Sequence, residues 1–250
     1  MKALITGASS GIGLEMAKIL HNKGYELILV ARDKVKLQNI QEELGKNVKI
    51  IVADLSNESK VKDLYVLCKA EKIDMLINNA GFGDCGEFIN TDLSREIEMI
   101  NVNIKALHIL TKLFLKDMKK RNQGYILNVS SMASFSPGPL MATYYATKSY
   151  VTKLTTSIYE ELRAEKSNVV ISCLCPGPIN TNFLKTANVK FSVGLMDSKF
   201  VAEYAIEKML DGKLIIIPGI GMKLVRFLAK ISPIKLTGRV AYKIQRKKVY

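Results

Sequence analysis

Seven short apolar runs, separated by stretches with helical periodicity, constrain this chain more than any other feature. They are KALI (2–5), ELILV (26–30), VKIIV (48–52), IDMLIN (73–78), GYILNVS (124–130), NVVISCLC (168–175) and KLIII (213–217). Several are nearly unbroken, as strands buried on both faces of a parallel sheet would be. Between them lie segments such as IGLEMAKILHNKG and REIEMINVNIKALHILTKLFLKDMKKR. Repeated β–α alternation predicts a doubly wound α/β domain with helices on both faces of the sheet. No internal repeat or long Ser/Pro/Gly linker interrupts it. The 250 residues, 48% of them hydrophobic, suffice for one sizeable core.

The first connection carries the first chemical signal. TGASSGIG (6–13) directly follows the first run and opens the first helical pattern, with glycines at 7, 11 and 13. Glycine there lets the backbone turn sharply and lets a pyrophosphate approach, and the helix N-terminus offers unpaired N–H groups and a positive dipole end. Ser9, Ser10 and Ile12 fall in the same loop. The second run ends LVARD, with Ala31 and then Arg32. NAD recognition calls for a carboxylate at that tip, whereas a guanidinium suits the 2′-phosphate of NADP. Asp33 reads as the N-cap of the helix KVKLQNIQEEL.

MATYYATKSYVT (141–152) crowds three tyrosines together with one lysine, Lys148. A phenol ordinarily titrates near pH 10, and a nearby cation lowers that value. Tyr144 and Lys148 are four apart, one turn along the same helix face; Tyr145 is in register with Ser149, and Tyr150 with Leu154. Only Tyr144 gains a cation, so it is the candidate acid or base.

These motifs, TGASSGIG (6–13), NNAG (78–81), YYATK (144–148) and PGPINT (176–181), stand in one order and spacing. The chain resembles the short-chain dehydrogenase/reductases of the single-domain, roughly 250-residue type, over about residues 2 to 217. The resemblance implies a Rossmann-type, seven-stranded parallel sheet. It assigns Asp54, with Leu55 beside it, to the adenine. Asn79, Ala80 and Gly81 form the turn beside the cofactor ribose, and Pro176, Gly177, Ile179 and Thr181 hold the nicotinamide carboxamide. Tyr144 acts as general acid or base, and Lys148 lowers its pKa and binds the nicotinamide ribose. Ser131, thirteen residues before Tyr144, takes the place of the catalytic serine, with Ser130 the competitor. Asn103 completes the set through a water that relays protons to Lys148, with Asn101 the alternative. Two positions depart from the pattern. Ser10 stands where many NADP-dependent members carry a basic residue, so NADP(H) preference leans on Arg32. Ala106 replaces a frequent glycine.

The implied reaction is reversible hydride transfer between NADP(H) and a carbonyl or alcohol. The alternative is a non-catalytic NADP-binding sensor or scaffold, against which the intact Asn-Ser-Tyr-Lys set argues. Residues 182–196 fall where the family places a lid over the substrate. Phe183, Leu184, Phe191, Val193, Leu195 and Met196, with Met132, Phe135, Leu140 and Met141, are candidates to line an apolar pocket for an acyl or other apolar ketone or aldehyde.

Residues 1–218 thus form the expected NADP-binding catalytic domain, and 219–250 a basic helical extension. The net charge is +14, and no acidic residue follows Asp211. Before Pro233, Leu224, Phe227, Leu228 and Ile231 form one helical stripe, and Lys223, Arg226 and Lys230 another. The apolar stripe either packs on the domain or a second subunit, or lies on an anionic membrane. Few aromatics accompany the charges, so no nucleic-acid partner is expected. No metal site is expected: His21 and His108 lie near no cysteine cluster. Cys173 and Cys175, alternating in VVISCLCP, are read as facing opposite sides of a strand and so not pairing. The chain opens on a strand rather than a leader pattern, so the expected setting is the cytoplasm, as a homo-oligomer.

Overall fold

The computed structural model describes residues 1–181, 183, 187 and 195–249, with side chains as far as Arg246 at the C-terminal end. Seven strands form one parallel sheet: β1 (Lys2–Thr6), β2 (Glu26–Ala31), β3 (Val48–Val52), β4 (Met75–Asn78), β5 (Gly124–Val129), β6 (Val169–Leu174) and β7 (Ile215–Ile216). Their order is β3-β2-β1-β4-β5-β6-β7. Thr6 aligns with Val30 on one side of β1 and Ile5 with Ile77 on the other, so the order reverses at β1. A crevice opens at such a reversal, beyond the carboxyl ends of the strands.

Alternation along each strand divides the core in two. Ala3, Ile5, Leu27 and Leu29 face α1 (Gly11–Asn22) and α7 (Ser198–Leu210), meeting Met16, Leu20, Val201 and Ile206. Leu4, Ile28 and Leu76 point the other way. They meet Val61 and Leu64 of α3 (Glu58–Cys68), Phe114 and Met118 of α5 (Leu107–Arg121), and Leu162 of α6 (Ala142–Ala164). This double burial is why the strands read as apolar runs. Asp33 does cap α2 (Lys34–Leu44), accepting from the Lys36 amide at 3.0 Å.

Two polar features sit inside this frame. Asn78 Nδ2 donates to Asn128 Oδ1 at 2.9 Å and to Thr111 Oγ1 at 3.0 Å, while Asn128 Nδ2 donates to Thr155 Oγ1 at 3.0 Å. The network ties β4 and β5 to α5 and α6. Between α4 (Leu93–Ile100) and α5, residues Asn101–Ala106 form a π-helical segment, a local widening typical of functional positions.

The cysteine expectation is corrected. A strand has a period of two, so positions i and i+2 share a face. Cys173 and Cys175 Sγ lie 3.7 Å apart, both buried.

The chain ends in α8 (Ile220–Ile231) and α9 (Ile234–Val249), separated at Pro233. Here two members of the polar stripe, Lys223 and Arg226, reach the body. The Arg226 guanidinium lies 4.9 Å from the centre of the Phe135 ring, and Lys223 Nζ donates to Tyr204 Oη at 3.3 Å. Leu224, Phe227, Leu228 and Ile231 are exposed, so the apolar stripe does not pack on the domain. Among the described residues no helix is long and apolar enough to cross a membrane.

Candidate active site

A cavity of about 590 Å³ opens at the carboxyl edge of the sheet, where the strand order reverses. The glycine loop forms its floor. Gly7 has φ +65°, and a Cβ there would stand 2.8 Å from Ala80 Cα. The loop is held from behind. Thr6 Oγ1 accepts from the amides of Asn79 and Ala80 at 3.0 and 3.1 Å, and Asn79 Nδ2 donates to the carbonyls of Thr6 and Gly7 at 3.0 and 3.1 Å. Asn79 is therefore a brace as well as a wall. Gly13 is buried behind the loop, where a Cβ would meet the Gly7 carbonyl oxygen at 2.5 Å. Its lack of a side chain lets α1 approach β1 and leave amides at its N-terminus facing the cavity.

At one end the cavity is lined by Ala31, Arg32, Asp33, Lys36, Asp54 and Leu55. Ser9, Ser10, Gly11 and Ile12 come next, then Asn79, Ala80 and Gly81, with Pro176, Gly177, Ile179 and Thr181 opposite. Lys36, in the first turn of α2 and paired with Asp33 at 3.1 Å, adds a second cation that no sequence motif marks. Arg32 Nη1 is engaged by Glu98 Oε1 at 2.8 Å. This elongated space, with Arg32 and Lys36 at one end and floored by a helix N-terminus, fits a nicotinamide dinucleotide.

Ser131, Tyr144 and Lys148 line the other end. Ser131 leaves β5, accepts from the Ala133 amide at 3.1 Å and hydrogen-bonds Tyr144. Ser130 points into the protein instead: its Oγ donates to the Lys148 carbonyl at 2.8 Å and pairs with Thr152 Oγ1. The geometry thus separates the two serines. Lys148 is buried, and its Nζ donates to the Val129 carbonyl at 3.0 Å and stands 5.8 Å from the centre of the Tyr144 ring. Asn103 is buried and lies behind the wall. Its Oδ1 accepts from the Phe82 amide at 3.1 Å, and its Nδ2 donates to the Phe82 carbonyl at 2.8 Å and to Thr147 Oγ1 at 3.1 Å. A Cβ on Gly81 would meet Asn103 Oδ1 at 2.9 Å and Lys148 Nζ at 3.3 Å, so the two flank one point. Asn101 is only half-buried.

The electrostatics differ from the expectation of a lowered phenol. Burial pushes the Tyr144 phenol well above its ordinary value, and the Ser131 hydrogen bond pulls the other way without prevailing. Burial also lowers Lys148, to about 8, with the neighbouring Cys173 and Cys175 opposing. Desolvation outweighs the neighbouring contacts because both side chains are buried.

Of the apolar candidates, Met132, Met141 and Phe183 line the cavity, and the Phe183 ring centre is 5.3 Å from that of Tyr144. Leu140 is buried behind Met141, Phe135 lies under Arg226, and Met196 bridges to Ile179. Leu184, Phe191 and Val193 lie outside the described residues, as does most of the expected lid; Leu195 is half-buried. Two further residues join the wall. Tyr145 is half-buried, and Gln245 of α9, itself buried, donates to its Oη from Nε2 at 2.6 Å. No local pattern links positions 100 residues apart.

The sequence profile described as short chain dehydrogenase matches residues 1–190. Nodulation protein G of Rhizobium sp. (strain N33) is 32% identical over 78% of this chain and 80% of its own. Among solved structures, a short-chain dehydrogenase from Sphingobium yanoikuyae in complex with NADPH superposes with TM-score 0.82 at 27% identity, over 93% of this chain and 96% of that one. A short chain dehydrogenase/reductase from Burkholderia phymatum in complex with NAD gives 0.83 at 25%, over 91% and 92%. The profile match runs from the first strand past the loop that carries Thr181, so the chain belongs to the short-chain dehydrogenase/reductase family of oxidoreductases.

Proposed function

We propose that this protein is an NADP(H)-dependent oxidoreductase that acts reversibly on the carbonyl or alcohol carbon of an apolar or acyl ketone or aldehyde. The observation that carries the reading is that Ser131, Tyr144 and Lys148 share one cavity with the glycine loop and Arg32. NADP(H), when bound, supplies or accepts the hydride. The chain's own residues do the rest. Tyr144, kept protonated across the neutral range by burial, gives its proton to the alkoxide that develops as a carbonyl is reduced. Ser131 hydrogen-bonds the same oxygen and stabilises its charge. Lys148 holds the ribose hydroxyls and returns a proton toward Tyr144. Asn103 flanks Gly81 with Lys148 and positions a water for that relay.

Preference for NADP(H) rests on this chain's own side chains. Arg32 and Lys36 line the end where a 2′-phosphate would lie, and the tip of β2 is Ala31. Substrate class rests on Phe82, Val102, Met132, Met141 and Phe183 at the reacting end. The proposed setting is the cytoplasm, with a homo-oligomer formed through α5 and α6.

The test is an NADPH-oxidation screen over acyl, steroid and aldehyde carbonyls, with NADH in parallel and Tyr144→Phe as control. Turnover with NADPH that the substitution removes is expected. Tight NADPH binding with no turnover on any carbonyl would instead indicate a sensor or scaffold.

A further inference from the structure

Helices α8 and α9 turn an apolar face away from the body. Ile220 is 84% exposed, Phe227 59% and Ile234 72%, and Leu224, Val240 and Ile244 are exposed with them. Patches of this extent mark surfaces that something else covers. The two helices are nonetheless fixed in place by their inner sides. Arg226 lies over Phe135, Gln245 is bonded to Tyr145, and Met222 Sδ would stand 2.7 Å from a Cβ on Gly177.

Charge decides what can cover this face. Nine of the 37 lysines and arginines lie beyond Pro218, and none of the 23 acidic residues does. That leaves 28 basic against 23 acidic residues in the rest of the chain, itself a positive balance. A second copy meeting the face through the same patch would set nine positive charges against nine, and through any other patch would still meet a cationic body. Nucleic acid would satisfy the charges but offers aliphatic side chains nothing to enter, since its binders use aromatic stacking. An anionic lipid surface satisfies both. Aliphatic side chains enter the acyl boundary while the exposed Lys230, Lys235, Arg239, Lys243 and Arg246 meet headgroups.

We propose that α8 and α9 together form a docking surface for an anionic lipid bilayer. The helices lie on it rather than span it. Gln245 on the inner side of α9 lines the reacting end of the cavity, so docking holds that end about one helix diameter, ~10 Å, from the lipid. An apolar substrate dissolved in the bilayer would have a short way in. That consequence rests on the redox reading, whereas the docking itself does not.

The experiment is flotation of the full chain with vesicles of phosphatidylcholine alone and of phosphatidylcholine with phosphatidylglycerol. Binding to the anionic vesicles alone, weakened by salt, is expected. Leu224→Asp/Phe227→Asp and Lys230→Glu/Lys235→Glu should each weaken it by about tenfold or more. NADPH fluorescence and circular dichroism should show both variants folded with cofactor affinity unchanged. Flotation failing with both vesicle types overturns the proposal, as does equal flotation with both. So does a dimer in light scattering that Leu224→Asp/Phe227→Asp makes monomeric while flotation is absent, which would assign the face to a second copy. Retention on a DNA duplex without vesicle binding would assign it to nucleic acid.

Discussion

Arg32 donates to Glu98 across the mouth of the cavity, Nη1 to Oε1 at 2.8 Å, joining the tip of β2 to α4. The arginine side chain is 63% exposed, so this contact is weak, worth about 0.2–1 kcal/mol. It is also the contact a 2′-phosphate would have to displace or share. Arg32→Ala should raise KM for NADPH about tenfold or more, from loss of a charge-assisted hydrogen bond, and barely alter KM for NADH. Glu98→Gln should lower KM for NADPH by a few-fold. Equal effects of Arg32→Ala on the two cofactors would end the assignment of NADP preference to this residue.

Tyr144→Phe should reduce kcat by roughly 10²–10⁴-fold while NADPH affinity stays within a few-fold. Tyr145→Phe keeps the proton donor and should retain most turnover. Single-turnover hydride transfer separates the two. An inactive Tyr145→Phe beside an active Tyr144→Phe would reverse the roles.

Lys148 gives a pH signature of its own. Burial takes it from its ordinary 10.5 to about 8, so the folded protein holds this proton less tightly than the unfolded chain. The cost to stability is fully present below about pH 8 and disappears as pH rises from there toward 10.5. Denaturant unfolding of the wild type and Lys148→Met at pH 7.5 and 10.5 should therefore diverge. The wild type should gain about 3 kcal/mol relative to the variant over that interval. No divergence would mean that the lysine is solvated.

Gln245 and Tyr145 form a double-mutant cycle. Gln245→Leu leaves the half-buried Tyr145 hydroxyl without its partner and should loosen α9 by about 1–3 kcal/mol, read as faster amide exchange in that helix. Tyr145→Phe combined with Gln245→Leu removes both polar groups and should recover much of the loss. Additive losses would show that the bond does not hold the helix.

Legibility in the sequence tracks the range of the interactions. Buried parallel strands announce themselves as apolar runs, and the Tyr144–Lys148 spacing is a property of a single helix. Ser131 can be placed only by resemblance, because Ser130 is its sequence equal; the fold separates them by turning Ser130 onto the Lys148 carbonyl. Glu98 reaches Arg32, and Gln245 the cavity itself, from elements far along the chain, and nothing local marks either. The raised phenol of Tyr144 escapes a reading of spacing for a related reason. Spacing shows the cation but not the loss of water, and the loss of water is the larger effect. The apolar stripe of α8 is visible as a pattern, but its outward orientation depends on Phe135 and Tyr204 on the body.

The widened helical segment Asn101–Ala106 bears on how this protein could change over generations. A π-turn is an α-helix carrying one residue too many. Deleting a single residue would restore regular bonding and keep α4 and α5 in phase, but it would remove the widened turn that carries Asn103. Asn103 could then no longer hold the Phe82 backbone while α5 kept its face on the sheet. Selection for thermal tolerance alone would favour the shorter helix, and selection for turnover would reject it. Variants rescued for heat resistance should therefore collect deletions here only where activity is not screened.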